Sequence, residues 1–233
     1  MAAPSNEYDA ALKGVRSGKT VGLLGLEFSS RRRNRVNGRV ISSGPNGFAI
    51  KVGQSFGNCP KYIQTREIVG VARASRASLI TEGTELSPPD RQLVGGADTF
   101  FIASTSGDEG GLAAGVDVSH RGGNPGFVRL VSSTEFLVPD FTGNFLFNTL
   151  GNILLEPRVG LLFVDWSDGT LLQIAAEAEI IWDGPDVDAY AGAKRALRFR
   201  VSKAVRIRPA VRLHWSKGEQ SPFAAKLGPW RPA

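Results

Sequence analysis

A segment of nine residues occurs twice in this chain, and this repeat constrains the fold more than any other feature of the sequence. Residues 21–29 (VGLLGLEFS) and 159–167 (VGLLFVDWS) align without a gap at an offset of 138 positions. A second match joins residues 50–56 to 199–205 at an offset of 149, so about eleven extra residues lie in the loop 183–193. The offset is far too long for solenoid repeats of about 20–50 residues. The repeat therefore predicts two copies of one β-rich fold, side by side, with a cleft between them.

Alternating apolar and polar residues predict short strands in both copies. In the first copy these strands cover residues 21–28, 33–41 and 48–56. The second copy has more of them, at residues 99–104, 116–119, 127–131, 135–138, 160–166, 171–182 and 197–207. Short strands separated by turns are typical of a small barrel, and no glycine-rich βαβ unit indicates a Rossmann domain. Since nothing in the first copy corresponds to residues 99–138, we expect a complete second barrel and a partial first one.

The remaining segments predict a few helices and the division into domains. Helical spacing or a helix-starting proline predicts short helices at residues 6–17, 61–67, 144–155 and from near Pro89. Residues 72–97 otherwise have little β character and read as a connector. The chain is therefore expected to be mainly β, with four parts: a partial N-terminal repeat (1–71), the connector (72–97), a barrel domain (98–216) and a C-terminal tail (217–233).

Composition and charge limit the compartment in which the protein is expected and the kind of partner it binds. The 233 residues carry a net charge of +6, and no apolar run reaches the roughly 18 residues that a bilayer-spanning helix needs. The N-terminus has no secretion signal pattern, and the single cysteine, Cys59, cannot form an internal disulfide. These features favour a cytoplasmic protein without a membrane segment. The positive charge favours an anionic partner: nucleic acid, a phosphate-bearing cofactor or an acidic substrate.

The segment 119–127 (SHRGGNPGF) is the strongest local candidate for a binding site. His120 and Arg121 stand at the predicted end of a strand, and Gly122 and Gly123 follow. Arg supplies charge-assisted hydrogen bonds to phosphate, and a glycine turn can expose backbone N–H groups. A glycine hairpin with a solvated arginine explains the same residues equally well.

A second candidate follows at residues 138–144 (VPDFTGN), directly before the predicted helix. Asn144, Asn148 and Asn152 recur every four residues and share one helical face. The N-terminus of that helix would favour an anion. Alternatively, these amides tie the helix to neighbouring backbone groups.

Other chemistries have weaker support in the sequence. Only two histidines, His120 and His214, accompany the single cysteine, so few zinc ligands exist and we predict no metal site. No P-loop and no nucleophile elbow are present. The basic run 31–35 could bind nucleic acid, but it lacks interleaved aromatic residues. A solvated or phosphate-facing strand end is the preferred interpretation of that run.

Several of these motifs, in this order, resemble the proteins related to pyridoxamine 5′-phosphate oxidase, which are FMN-binding split-barrel proteins. The resemblance covers nearly the whole chain and points to the broad oxidase-related branch rather than to the true vitamin B6 oxidase. The motifs that carry it are residues 119–127, 139–144 with 149–152, 160–165 (GLLFVD), 31–38 (RRRNRVNG) and 58–64 (NCPKYIQ).

The resemblance implies a split, Greek-key β-barrel that forms a homodimer and holds FMN in the groove between barrels. Ser119, His120 and Arg121 would lie at the basic strand end that binds the FMN phosphate. Asn144 and Asn148 would lie at the start of the helix above the phosphate and ribityl chain. By the same resemblance, the strand with Gln173 would approach the flavin ring, as would the aromatic residue Trp215.

The chain departs from the family pattern in two respects. The opening strands of the first barrel are missing. Position 173 is Gln where related sequences have Arg, whereas Arg35 keeps the Arg in the first copy. Either one copy donates its Arg to a shared site, or one site has been lost.

These observations lead to a ranked set of functions. The first is an FMN-dependent oxidoreductase with hydride transfer at the flavin and a small-molecule substrate, for which no catalytic residue is assigned. The alternative is a non-catalytic protein that binds or carries flavin, deazaflavin or haem. Nucleic-acid binding through residues 31–35 is the third and least favoured function.

Overall fold

The computed structural model describes residues 13–44, 47–57, 59–71, 79–107, 114–143, 145–211, 213–216 and 218–231. It confirms a mainly β fold with a few short helices. Residues 6–12 of the predicted N-terminal helix (residues 6–17) lie outside the described residues, and of residues 13–17 only Lys13 is helical. No helix in the described ranges is both long and apolar enough to cross a membrane. The strands are β1 (Thr20–Glu27), β2 (Arg32–Gly44), β3 (Gly47–Gly57), β4 (Ile68–Val71), β5 (Leu79–Gly83), β6 (Thr99–Thr105), β7 (Val116–Gly122), β8 (Arg129–Leu130), β9 (Glu135–Asp140), β10 (Arg158–Val164), β11 (Leu171–Ile181), β12 (Arg195–Arg208) and β13 (Leu213–Trp215), and the helices are α1 (Pro88–Gly96), α2 (Asn148–Leu155) and α3 (Pro185–Asp188), followed by a 3₁₀ turn (Ala224–Lys226).

The strands form a large sheet and two smaller ones. The first copy is a three-stranded antiparallel sheet in the order β1-β2-β3, and β4 pairs with β13. The large sheet has the order β7-β6-β10-β11-β12-β9-β8, and β5 pairs with the C-terminal half of β12. Because β6 neighbours β10 and β9 neighbours β12, the chain crosses between hairpins in the Greek-key manner.

The large sheet closes around an aromatic core. Phe100 on β6 and Phe199 on β12 have ring centroids 6.4 Å apart, and Phe163 on β10 stacks on Phe100 at 5.2 Å. In a flat sheet, β6 and β12 would stand about 14 Å apart, since neighbouring strands are about 4.8 Å apart and three spacings separate them. The contact therefore requires a strongly curved, barrel-like sheet, and all three rings are fully buried.

The sequence repeat is reproduced in the pairing of the strands. Leu23 lies opposite Val36 in the β1–β2 pair, and Leu161 lies opposite Ile174 in the β10–β11 pair. Both members of the second pair follow the first by 138 positions, so the register of the two hairpins is the same. Their burial differs, because Leu161 lies in the barrel core at 3% exposure whereas Leu23 is 39% exposed. The first copy has the same strands without the rest of the barrel to cover them.

Two irregularities also recur at equivalent positions. The β2–β3 register shifts between Asn37 and Gly38, and the β11–β12 register shifts between Ala175 and Ala176. Such bulges insert one residue into a strand and bend it. Repetition at the same offset of 138 positions shows that both copies share backbone geometry as well as sequence.

Three predicted segments differ in the structure. Residues 61–67 form a turn and extended chain instead of a helix. Residues 79–83 form β5, although the connector was expected to have little β character. Helix α2 begins at Asn148, four residues later than predicted.

The first sheet and the C-terminal tail both pack on the barrel. Arg35 on β2 forms a buried ion pair with Asp117 on β7. In the tail, the indole N–H of Trp230 donates to the Phe127 carbonyl at 3.0 Å, and its ring meets Tyr190 at 5.1 Å. The described residues of the tail are therefore part of the barrel's packing.

Candidate functional site

A pocket of about 110 Å³ lies at the seam between the first sheet and the barrel, and we call it the seam pocket. Its walls come from β2 and the segment after β3 on one side, and from β7, the end of β9 and the start of α2 on the other. The wall is rich in cations, with a single carboxylate among its described residues. The four cations are Arg33, Arg35, Lys61 and Arg121, and the carboxylate is Asp140.

Arg35 ties the two walls of the seam pocket together. Its guanidinium donates to both oxygens of Asp117 at 2.7 and 2.9 Å and to the Ser119 hydroxyl at 2.7 Å. The Thr149 hydroxyl at the start of α2 donates to the same carboxylate at 3.2 Å. Burial lowers the pKa of Arg35, and the Asp117 charge opposes that shift. The charge of Arg35 is therefore largely compensated inside the protein.

Arg33 carries an uncompensated charge into the same pocket. Its Nη1 donates to the His120 carbonyl at 3.2 Å, and its buried Nε has no hydrogen-bond partner within the described chain. Burial, and next the neighbouring Arg35, lower the pKa of Arg33 to about 10, which still leaves it protonated at neutral pH. No carboxylate of the described residues pairs with it. This arrangement suits an anion.

Arg121 stands on the opposite wall, between a carboxylate and open space. It forms an ion pair with Asp140, which also pairs with Arg195 at 3.2 Å. Asp140 thus shares one negative charge between two cations. The buried Nε of Arg121 has no partner among the described atoms.

His120 is an uncharged group among cations. It is only 4% exposed, and its Nε2 has no hydrogen-bond partner among the described residues. Burial is the largest cause that lowers its pKa well below the usual 6.5, and the charges of Arg33, Arg66 and Arg121 lower it further. The neutral imidazole can offer a hydrogen bond to a ligand but no positive charge.

The predicted asparagines have different roles. Asn148 is the first residue of α2 and lines the seam pocket. Asn152, one turn later, donates to the Ser104 hydroxyl at 3.1 Å and so ties the helix to β6. Asn144 lies outside the described residues. Asn148 therefore lies at the pocket, whereas Asn152 holds α2 against β6.

Two residues expected near the flavin ring do not line the seam pocket. Gln173 lies on β11 between Leu162 and Val205 and does not line the seam pocket. Trp215 packs edge-to-face on Phe28 at 5.6 Å, away from the pocket wall.

The glycines after Arg121 allow close packing instead of exposing N–H groups. A Cβ on Gly122 would lie 2.1 Å from the Tyr62 carbonyl oxygen, so only glycine fits there. The Gly123 N–H donates to the Asp98 carbonyl at 3.0 Å and is not available to a phosphate. The cations of the pocket wall, rather than this turn, are the groups that can hold an anion.

A second cavity of about 360 Å³ adjoins the seam pocket and shares part of its wall. Phe145 and Phe147, 70% and 44% exposed, line it together with Lys194 and Arg195. Arg195 lies 5.0 Å from the centre of the Phe147 ring. The volume of this second cavity is within the range of about 300–1,000 Å³ that is usual for small-molecule sites.

Sequence reasoning considered a phosphate-facing role for the run 31–35 but selected no single residue of the first copy for this pocket. Arg33, Lys61 and Tyr62 were not among the predicted site residues, although two of the family-like motifs contain them. Their place in the site depends on how the first sheet docks on β7, which no local pattern encodes.

Comparison with known proteins gave structural neighbours only. No family model and no curated protein matches the chain. The solved structures similar to it include HupZ of Group A Streptococcus, at 13% identity over 55% of this chain and 98% of that one, with a TM-score of 0.41. Also similar is a putative pyridoxamine 5′-phosphate oxidase from Lactobacillus delbrueckii, at 13% identity over 52% of this chain and 94% of that one, with a TM-score of 0.40. An FMN-binding protein from Syntrophomonas wolfei has 11% identity over 50% of this chain and 82% of that one, with a TM-score of 0.37.

Proposed function

We propose that this chain binds FMN and that the seam pocket takes the FMN phosphate. The observation that carries the proposal is Arg33, a protonated guanidinium with a buried, unpartnered Nε and no carboxylate partner in the described chain. Taking such a charge out of water costs free energy unless an opposite charge compensates it. Arg121 and Lys61 face the same space, so a phosphate monoester with close to two negative charges fits.

The motif resemblance and the residue chemistry support the same ligand. Ser119, His120, Arg121 and Asn148, the residues that the motifs assign to the FMN phosphate and ribityl chain, lie on one pocket wall. The pocket of about 110 Å³ is below the usual size of a whole-ligand site, so it suits the phosphate end alone. The adjoining aromatic cavity offers a surface on which a planar ring can pack.

The chemistry of the bound cofactor would be hydride transfer, and we propose that the protein is an oxidoreductase acting on a small molecule. The residues of the chain then bind and orient. Arg33 and Lys61 neutralise the phosphate, Arg35 holds the two walls together, and Phe145 and Phe147 limit the access of water to the ring.

The test of FMN binding uses riboflavin as the matched ligand, since it has the same ring without the phosphate. We expect the purified protein to show flavin absorbance, or the colourless protein to quench the fluorescence of added FMN with at least tenfold preference over riboflavin. Equal affinity for the two ligands would remove the phosphate from the seam pocket. A colourless protein that FMN neither stabilises thermally nor binds would overturn the proposed function.

Oxidoreductase activity is tested separately from binding. The FMN-loaded protein is mixed anaerobically with NADH or NADPH and the flavin absorbance is followed. Bleaching at a rate above that of free FMN supports an oxidoreductase. A flavin that stays oxidised with both donors, and that is also not reoxidised faster than free FMN after photoreduction, supports a carrier.

A further inference from the structure

The seam pocket takes its two walls from different copies of the repeat. Arg33 and Arg35 come from β2 of the first copy, whereas His120 and Arg121 come from β7 of the second. Arg35 also spans the two walls through its buried pair with Asp117. The pocket therefore exists only where β2 of one copy meets β7 of the other.

The two copies face each other as the subunits of a symmetric dimer do. Phe28 and Trp166 are equivalent positions of the repeat, and their rings contact each other edge-to-face at 5.1 Å. In an arrangement with two-fold symmetry, equivalent residues meet each other only at the axis. The hairpin turns that carry them are also alike, since Arg31 and Gly169, again 138 positions apart, both have left-handed backbone with φ of 57° and 73°.

This pseudo-symmetry predicts where a second pocket would lie. The positions equivalent to Arg33 and Arg35 are Leu171 and Gln173 on β11. Their facing wall would be the first copy's own counterparts of β7 and α2. Within the described residues, the sheet β1–β3 has no such counterparts. The guanidinium groups thus occur in the copy whose β2 faces a complete wall, and an apolar and an amide side chain occur in the other.

We propose that the chain is a covalently joined pseudo-dimer with one anion site, assembled in cis, in which β2 takes the place of a partner subunit. Arg33, together with Lys61, binds the anion from the first copy. Arg35 is a positioning residue, which acts through Asp117 and Ser119. The identity of the anion as FMN rests on the proposed function, whereas the cis assembly of the pocket does not.

The first experiment replaces Arg33 with the residue that the repeat carries at the equivalent position. The variant Arg33→Leu is compared with Arg32→Leu, which removes the same charge from an exposed neighbour on the same strand. FMN affinity is measured by fluorescence quenching, and folding by thermal unfolding. We expect Arg33→Leu to bind FMN at least tenfold more weakly and Arg32→Leu to bind within twofold of wild type. If Arg33→Leu does not fold, Arg33→Gln replaces it. Wild-type affinity in a folded Arg33 variant would overturn the proposal.

Inorganic phosphate separates this inference from the proposed function. Thermal stabilisation by phosphate is measured for wild type and both variants. If wild type does not bind FMN but is stabilised by phosphate, and Arg33→Leu loses that stabilisation, the FMN assignment fails while the composite anion site stands. If wild type responds to neither ligand, both fail.

The second experiment tests assembly in cis directly. Arg33→Leu and Arg121→Ala chains are co-expressed with different tags, and any mixed assembly is purified through both tags. A site formed between chains would restore one wild-type pocket in each mixed pair. We expect either no mixed assembly or a mixed assembly without wild-type FMN affinity. Wild-type protein alone should bind one FMN per chain at every protein concentration. Recovery of wild-type affinity in half of the sites would overturn the cis assignment.

Discussion

His120 keeps an uncharged imidazole among the guanidinium groups of Arg33, Arg66 and Arg121. In the unfolded chain the same imidazole would titrate near 6.5. Below that pH the His120 imidazole binds a proton in the unfolded state but stays unprotonated in the folded state. The folded protein therefore loses stability as the pH falls through this region.

This linkage gives a pH prediction. Between pH 7.5 and 5.5, the free energy of unfolding should fall as the pH decreases below about 6.5, with a limiting slope of about 1.4 kcal/mol per pH unit from this group. The variant His120→Gln should flatten that slope, as measured by urea unfolding at each pH. His214→Gln, at the other and exposed histidine, should keep it. A slope unchanged in His120→Gln would show that the imidazole is protonated in the folded state.

Arg121 gives the second prediction at this scale. Truncation to Ala removes a charge-assisted hydrogen bond to the phosphate, and we expect FMN binding to weaken by about 1.5–3 kcal/mol. Riboflavin affinity should stay unchanged, because that ligand has no phosphate. Arg91→Ala, on the exposed face of α1, serves as the control for lost charge. An equal loss for riboflavin and FMN would mean that the truncation distorts the pocket instead.

Among the secondary structure elements, the β10–β11 hairpin has a turn that only glycine fits. Gly169 has φ of 73°, and a Cβ there would lie 1.9 Å from the Val211 carbonyl oxygen. Gly184 also has positive φ (96°), but a Cβ there would meet no atom within 4 Å. The comparison of these two positions separates backbone strain from steric clash.

We expect Gly184→Ala to cost about 1–3 kcal/mol from backbone strain alone, because a φ of 96° with a ψ of −173° lies in a region that is essentially restricted to glycine. Gly169→Ala should cost clearly more, because the residues around Val211 must also move. Both values are measured by chemical denaturation. Equal costs would contradict the packing of Val211 on this turn.

Much of the element structure could be predicted from the sequence, because period-two alternation and the repeat carry the same information twice. The strands at residues 21–28 and 160–166 were predicted within a few residues, and the common register of the two hairpins agrees with the prediction of one fold for both copies. The helix predicted after Pro60 is wrong because tertiary contacts outweigh the local signal. Tyr62 adopts left-handed backbone (φ 64°), and the Gln64 side chain bonds to the Gly123 carbonyl and the Ser221 N–H.

Only the barrel side of the candidate site could be predicted residue by residue from the sequence. The local motifs were sufficient to select Ser119, His120, Arg121 and Asn148, because these residues lie on β7 and α2 of one barrel. The contribution of Arg33 depends on the docking of the first sheet, which is a long-range contact. Sequence offers only an indirect signal for it, namely the loss of the equivalent arginines from the second copy.

At the scale of the whole molecule, the buried pair of Arg35 and Asp117 joins the first sheet to the barrel. Both side chains are less than a tenth exposed, and Ser119 and Thr149 add one hydrogen bond each to the pair. Breaking a buried pair leaves one charge without compensation. The pair should therefore make the sheet and the barrel unfold together.

We expect wild type to unfold in one cooperative transition and Asp117→Ala to lose about 3–5 kcal/mol. The exposed pair of Lys203 and Glu82, at 2.7 Å, is the control, and Lys203→Ala should cost at most about 1 kcal/mol. Calorimetry measures both. Two separate transitions in wild type would contradict the coupling of the two units.

The contact between Phe28 and Trp166 has a practical consequence. Trp166 and Trp215, half of the four indoles in the chain, lie against Phe28 where the two copies meet, whereas Trp182 and Trp230 lie elsewhere on the barrel. The fluorescence of Trp166 and Trp215 therefore reports on that junction without an attached dye. If the junction opens, both indoles become exposed to water and their emission shifts to longer wavelength. A chromophore bound nearby would quench that emission through energy transfer.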